Sequence, residues 1–100
     1  MSDTAIIIPC FNEAKRLDIK SLSGFLRSNN AIDLYFYDDG STDNTFNLLK
    51  DLKKSFENCF IFKNSINLGK SNIVRLGVQD ALKKNKYNYI GYFDADLSTP

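Results

Sequence analysis

AIIIPCFNE, residues 5–13, opens with four apolar residues, three of them isoleucine, and then breaks into a proline, an aromatic, an amide and an acid. β-Branched side chains are stiff at χ1 and suit a pleated strand. The run shows no polar alternation, so the strand it predicts is covered on both faces, as in a parallel sheet packed between helices. Pro9 is read as the stop. Three more runs of the same kind follow: LYFY at 34–37, leading into DDG; CFIF at 59–62; and YIGYF at 89–93, leading into DAD.

Between these runs the apolar spacing changes from continuous to helical. Leu22, Phe25 and Leu26 fall at i, i+3 and i+4, and the pattern ends in Ser28-Asn29-Asn30. Phe46, Leu49, Leu52 and Phe56 make a second stripe, with Ser41, Thr42 or Asp43 available as its N-cap. Ile73, Val74, Gly77, Val78, Ala81 and Leu82 make a third, which begins near Gly69-Lys70-Ser71 and ends in a basic stretch suited to the negative end of a helix dipole. The predicted order is βαβαβαβ. Crossovers between parallel strands are right-handed, so the expected fold class is α/β: a Rossmann-like, mainly parallel sheet of about four strands flanked by helices.

The totals narrow what such a fold does. One hundred residues make one small domain, or about half of a larger one. A hydrophobic fraction of 43% with 25% charged residues excludes disorder and coiled coil. The net charge of +1 offers no general attraction for nucleic acid. Cys10 and Cys59 lack the spacing of a zinc site or a disulfide framework and read as small buried thiols. Histidine is absent, so proton transfer and metal binding fall to carboxylates. MSDTAIII has no basic leader and too short an apolar run for a membrane span, so any anchor is expected beyond Pro100.

Parallel strands deliver their C-terminal ends to one edge. The segments that follow them are Pro9 to Glu13, Asp38 to Ser41, Lys63-Asn64 with Asn67 to Lys70, and Asp94-Ala95-Asp96. Asp94 and Asp96, two residues apart where a strand ends, can present oxygens to one hard divalent cation, which can hold a diphosphate. Lys70, at a helix start, adds positive charge on the phosphate side. Asp39 can accept from the imide of a uracil or from a ribose hydroxyl. Taken singly, each of these segments is equally a capped turn or a solvated side chain.

In order and spacing, IIIPCFNE (6–13), YDDGSTDNT (37–45), NLGKSNIVRLG (67–77) and FDADLSTP (93–100) resemble the nucleotide-sugar-binding half of GT-A glycosyltransferases of family 2, over essentially the whole chain. The resemblance implies a UDP-sugar or GDP-sugar donor with Mg²⁺ or Mn²⁺. Pro9, Phe11 and Glu13 fall where the first loop lines the nucleoside, and Asp39 where an acid contacts the base. Lys70 falls at the basic loop near the base and diphosphate. Asp94 and Asp96 match the family's DxD: the second acid holds the metal, and the first touches ribose or metal-bound water. Phe11 stands where many members carry tyrosine. Ser98 departs from members with a ligand at that position.

DADLSTP together with NLGKSNIVRLG looks most like the branch that makes polyprenyl- or dolichyl-phosphate sugars. That branch implies an inverting transfer to a lipid phosphate at the cytoplasmic face of a membrane. Residues 1–100 then form the donor half, without the catalytic base, and are inactive alone. Other acceptors, such as a glycan, fit the wider family. FDADLS also approaches the motif of haloacid-dehalogenase-type phosphatases, which sits on the first strand of its fold. Asp38-Asp39 approaches a response-regulator acidic pocket without its phosphoacceptor and lysine spacing. A non-catalytic nucleotide-sugar-binding module is the further alternative.

Overall fold

The computed structural model describes residues 2–95, so Asp96 and the residues after it lie outside the description. The strands are β1 (Thr4–Cys10), β2 (Ile32–Asp39), β3 (Cys59–Asn64) and β4 (Tyr89–Tyr92); the helices are α1 (Ile19–Ser28), α2 (Thr45–Ser55) and α3 (Lys70–Lys83). All three strand pairings are parallel, in the order β3-β2-β1-β4. The expected alternation and sheet are therefore observed.

The order explains which strands are buried. β1 and β2 are central, and Ala5, Ile7, Ile8, Leu34 and Phe36 are fully enclosed. β3 and β4 are edge strands, so Phe62, Tyr89 and Tyr92 keep substantial exposure, and burial on both faces holds for only two of the four runs. Strand alternation splits the core in two. Ile6, Ile8, Cys10, Leu34 and Phe36 meet Leu22, Leu26, Leu49 and Leu52 from α1 and α2. Ala5, Ile7, Tyr35 and Tyr37 meet Ile73 and Ala81 from α3 on the other face.

Four sequence expectations are corrected. β1 does not stop at Pro9 but runs on to Cys10. Ile7 offers its carbonyl to Phe93 on the β4 side, so alternation turns the missing N–H of Pro9 to that side too, past the last paired residues Ile7 and Tyr92. No ladder bond is lost there. The fourth strand ends at Tyr92 rather than Phe93. α2 begins after Asn44, which makes no side-chain cap, so none of the three proposed N-caps occupies that position. Leu82 is 62% exposed because it lies off the Ile73–Gly77–Ala81 stripe that faces the sheet.

α3 approaches the sheet closely at Gly77, where an added Cβ would lie 2.5 Å from Ile7 Cγ2 and 3.0 Å from Tyr37 Cε1. Both neighbours are core side chains with little room to yield. We expect Gly77→Ala to lower the unfolding free energy by about 1–3 kcal/mol, the usual cost of overpacking, despite alanine's better helix propensity. Urea denaturation of the two proteins measures it.

Candidate functional site

The chain steps from β1 to β2 to β3 in one direction, then returns past both to place β4 on the free side of β1. In open α/β sheets a crevice lies beyond the strand ends at such a reversal. A cavity of about 320 Å³ occupies it, lined by Pro9, Cys10, Phe11, Glu13, Arg16, Asp39, Lys70, Asp94 and Ala95. Pro9, Phe11, Glu13, Asp39, Lys70 and Asp94 were all named from sequence, and the fold brings these six to one cavity. Asp96 lies outside the described residues.

The two adjacent acids of β2 have different fates because successive strand residues face opposite ways. Asp39 turns to the α3 side. Its Oδ1 accepts the Leu68 N–H at 2.7 Å and its Oδ2 the Gly69 N–H at 2.8 Å, while its carbonyl accepts Asn67 Nδ2 at 3.0 Å. Gly40, with φ +76°, leaves room for this docking; a Cβ there would stand 2.8 Å from Asn67 N. The acid expected to touch a base therefore also clamps the loop that delivers Lys70 to the pocket. Asp38 turns the other way, beside Cys10. Its Oδ1 accepts the Ser41 N–H, and its buried Oδ2 has no hydrogen-bond partner among the described residues. Burial, reinforced by Glu13 and Asp38, pushes the Cys10 thiol far up, so this pocket thiol is un-ionised and inert.

A second set of bonds ties the loop after β1 to the loop after β2. Asn12 adopts φ +50° and accepts the Thr42 N–H at 2.8 Å and the Asp43 N–H at 3.3 Å. In return the Asn12 N–H donates to Ser41 Oγ, the Glu13 N–H to Thr45 Oγ1 and the Ala14 N–H to Asp43 Oδ2. Much of FNEA and STDNT is thus spent on holding the two loops together. Phe11 and Glu13 are positioned for the cavity by that staple.

Lys70 is the first residue of α3 and its ammonium is paired with Asp94. That hydrogen bond raises the lysine above its ordinary value, so it stays charged. The Lys70 ammonium also lies 6.0 Å from the centre of the Tyr92 ring. Asp94 supplies a hard oxygen donor, but the described residues hold no group of three or more acids, cysteines or histidines placed for a metal. Asp94 is one carboxylate of the kind that Mg²⁺ or Mn²⁺ takes as a ligand, and it is engaged by Lys70. Cys10 and Ala95 belong to segments expected at this edge but carry no expected role, and Arg16 lies outside those segments. Arg16 carried a legible signal in its i,i+3 spacing from Glu13, with which it pairs at 2.7 Å.

Residues 5–100 match the model of glycosyl transferase family 2. The chain is 38% identical over 91 residues to the uncharacterized protein MJ0544 of Methanocaldococcus jannaschii, covering 90% of this chain and 38% of that protein. It is 29% identical over 94 residues to the poly(ribitol-phosphate) beta-glucosyltransferase of Bacillus spizizenii, covering 92% of this chain and 14% of that one. Among solved structures it superposes on the mannosyltransferase PcManGT from Pyrobaculum calidifontis in complex with GDP-Man and Mn²⁺, with a TM-score of 0.71 at 18% identity over 94% of this chain and 27% of that chain. It also superposes on TarS of S. aureus residues 1–349 in complex with UDP-GlcNAc, with a TM-score of 0.68 at 22% identity over 96% of this chain and 27% of that chain. The chain belongs to glycosyl transferase family 2 and has the Rossmann-like GT-A fold of these neighbours. It spans well under half the length of each relative.

Two outcomes test the loop bonds. In Asp39→Asn an amide N–H₂ must face one of the two backbone N–H groups, so stability should fall by about 1–3 kcal/mol, with faster hydrogen exchange at Leu68 and Gly69. Asp43 is held below its ordinary carboxyl value of 3.8, first by the Thr45 hydroxyl and then by backbone N–H groups. A depressed carboxyl stabilises the fold above its unfolded value and loses that contribution as pH falls through the folded one. As pH falls from neutral to below 3.8, the protection factors of the Ala14 and Thr45 amides, which correct for intrinsic exchange at each pH, should therefore drop, whereas Asp43→Asn should lack this step.

Proposed function

We propose that this chain binds the nucleoside diphosphate-sugar donor of a glycosyltransferase and presents its anomeric carbon to an acceptor. The observation that carries the reading is the meeting of Phe11, Glu13, Asp39, Lys70 and Asp94 at the reversal of the sheet, in a crevice where α/β folds take nucleotides. Phe11, 46% exposed, offers a ring face to a base or ribose. Glu13 and Asp39 offer acceptors to the base and ribose, and Lys70 with the N-terminus of α3 faces the diphosphate. Bound by Asp94, Asp96 and the donor, Mg²⁺ or Mn²⁺ would neutralise charge on the departing nucleoside diphosphate.

Either UDP- or GDP-sugars suit these groups, and the fold neighbours were solved with one of each. The acceptor we favour is a lipid phosphate at the cytoplasmic face of a membrane, on the DADLSTP and NLGKSNIVRLG pattern, with inversion at the anomeric carbon. An ionised phosphate attacks with little help from a base, which suits a chain whose pocket offers no histidine. A glycan hydroxyl is the second acceptor class; the glucosyltransferase relative is named for a poly(ribitol-phosphate) substrate. In this reading residues 1–100 make the donor-binding half.

Thermal melting tests the reading, since a ligand of the folded state alone raises stability by about 2.7 kcal/mol at a hundredfold excess over Kd. We expect UDP or GDP with Mn²⁺ to raise Tm, and Asp94→Asn to remove the metal-dependent part. No shift with either nucleotide, with or without metal, would sink it. Sugar transfer by the full-length protein separates an enzyme from a non-catalytic binding module.

A further inference from the structure

We propose that Arg16 is a second phosphoryl-binding cation of the pocket, acting alongside Lys70; this rests on the donor-binding reading above. Among the described residues the cavity is lined by two cations, Arg16 and Lys70, and by three acids, Glu13, Asp39 and Asp94, which leaves one negative charge in excess. Asp39 already accepts from the Leu68 and Gly69 N–H groups. Each cation rests on one remaining acid, Arg16 on Glu13 and Lys70 on Asp94. The excess negative charge opposes a nucleoside diphosphate, so beside a divalent cation each side-chain cation that reaches the phosphates favours its entry.

Arg16 is built for that exchange. Its backbone is fixed, because the Arg16 and Leu17 N–H groups both donate to the Glu13 carbonyl at 2.8 Å and Leu17 is buried. Its side chain, by contrast, is 74% exposed, and an ion pair at such exposure contributes little to stability. A guanidinium carries five donors in a planar fork, so one edge can stay on Glu13 while another takes two phosphate oxygens. Lys70 carries three donors on one ammonium and lacks that planar fork. Glu13, only 18% exposed and tethered through its N–H to Thr45 Oγ1, then serves to aim the guanidinium.

The phosphoryl group has two sources, the donor's diphosphate or the phosphate of an acceptor, and the test separates them. In the full-length protein, isothermal titration with Mn²⁺ compares UDP and GDP with uridine and guanosine for the native protein and for Arg16→Ala, Arg16→Lys and Lys70→Ala. Loss of a charge-assisted contact should weaken diphosphate binding of Arg16→Ala about tenfold, with nucleoside affinity unchanged and partial recovery in Arg16→Lys. If acceptor phosphate is the partner, diphosphate affinity holds and the KM for the phosphorylated acceptor rises by a similar factor. Unchanged diphosphate affinity together with unchanged acceptor KM overturns the proposal. So does an equal loss for nucleoside and diphosphate, which would mean that Arg16 only orients Glu13. A loss of diphosphate affinity in Lys70→Ala without one in Arg16→Ala, with acceptor KM unchanged in Arg16→Ala, defeats this inference alone, whereas no loss of diphosphate affinity in either variant defeats the donor-site reading as well. Arg16→Gln, which keeps length and hydrogen bonding without the charge, repeats the comparison should the alanine variant fold poorly.

Discussion

A right-twisted strand that feeds a helix and returns to a parallel neighbour packs back on the sheet with one hand only, and that constraint organises this protein. Stepping from β1 to β2 to β3 puts α1 and α2 on one face; reversing to β4 puts α3 on the other. The reversal leaves β1 between strands reached by crossovers in opposite directions. The cavity lies at that reversal, beyond the end of β1.

Around that cavity the chain uses polar groups in two ways. Some residues hold loops: Asp39 clamps the segment before α3, while Asn12, Ser41, Asp43 and Thr45 staple the loops after β1 and β2. Others are left to meet a ligand: Phe11, Glu13, Arg16, Lys70 and Asp94 line the cavity on that frame. Hydrogen-bonded loops lose little freedom when a ligand arrives, and such preorganisation favours binding. Asp39 belongs to both groups, since it lines the cavity and holds the loop that carries Lys70. Substitution of Asp39 therefore acts on binding and on the frame together, whereas Arg16 and Lys70 can be altered with the frame intact.

The sequence alone determined the fold class and most of the cavity. Ile6 to Ile8, the 3.6-residue stripes and the acids at successive strand ends are local patterns, and local patterns survive being read one residue at a time. Family membership was legible for the same reason, because its motifs are contiguous. What the sequence left open depends on distant neighbours. Pro9 looks like a strand end until β4 is seen to stop short of it, and Leu82 looks like core until the helix is rotated onto the sheet. Asp38 and Asp39 look equivalent until the pleat sends one toward Cys10 and the other toward residues 68 and 69. Arg16 enters the pocket only because a staple to the second loop fixes where the first one turns. Each of these was decided by tertiary structure, since strand order, helix rotation and loop docking are set by contacts between residues far apart in the chain.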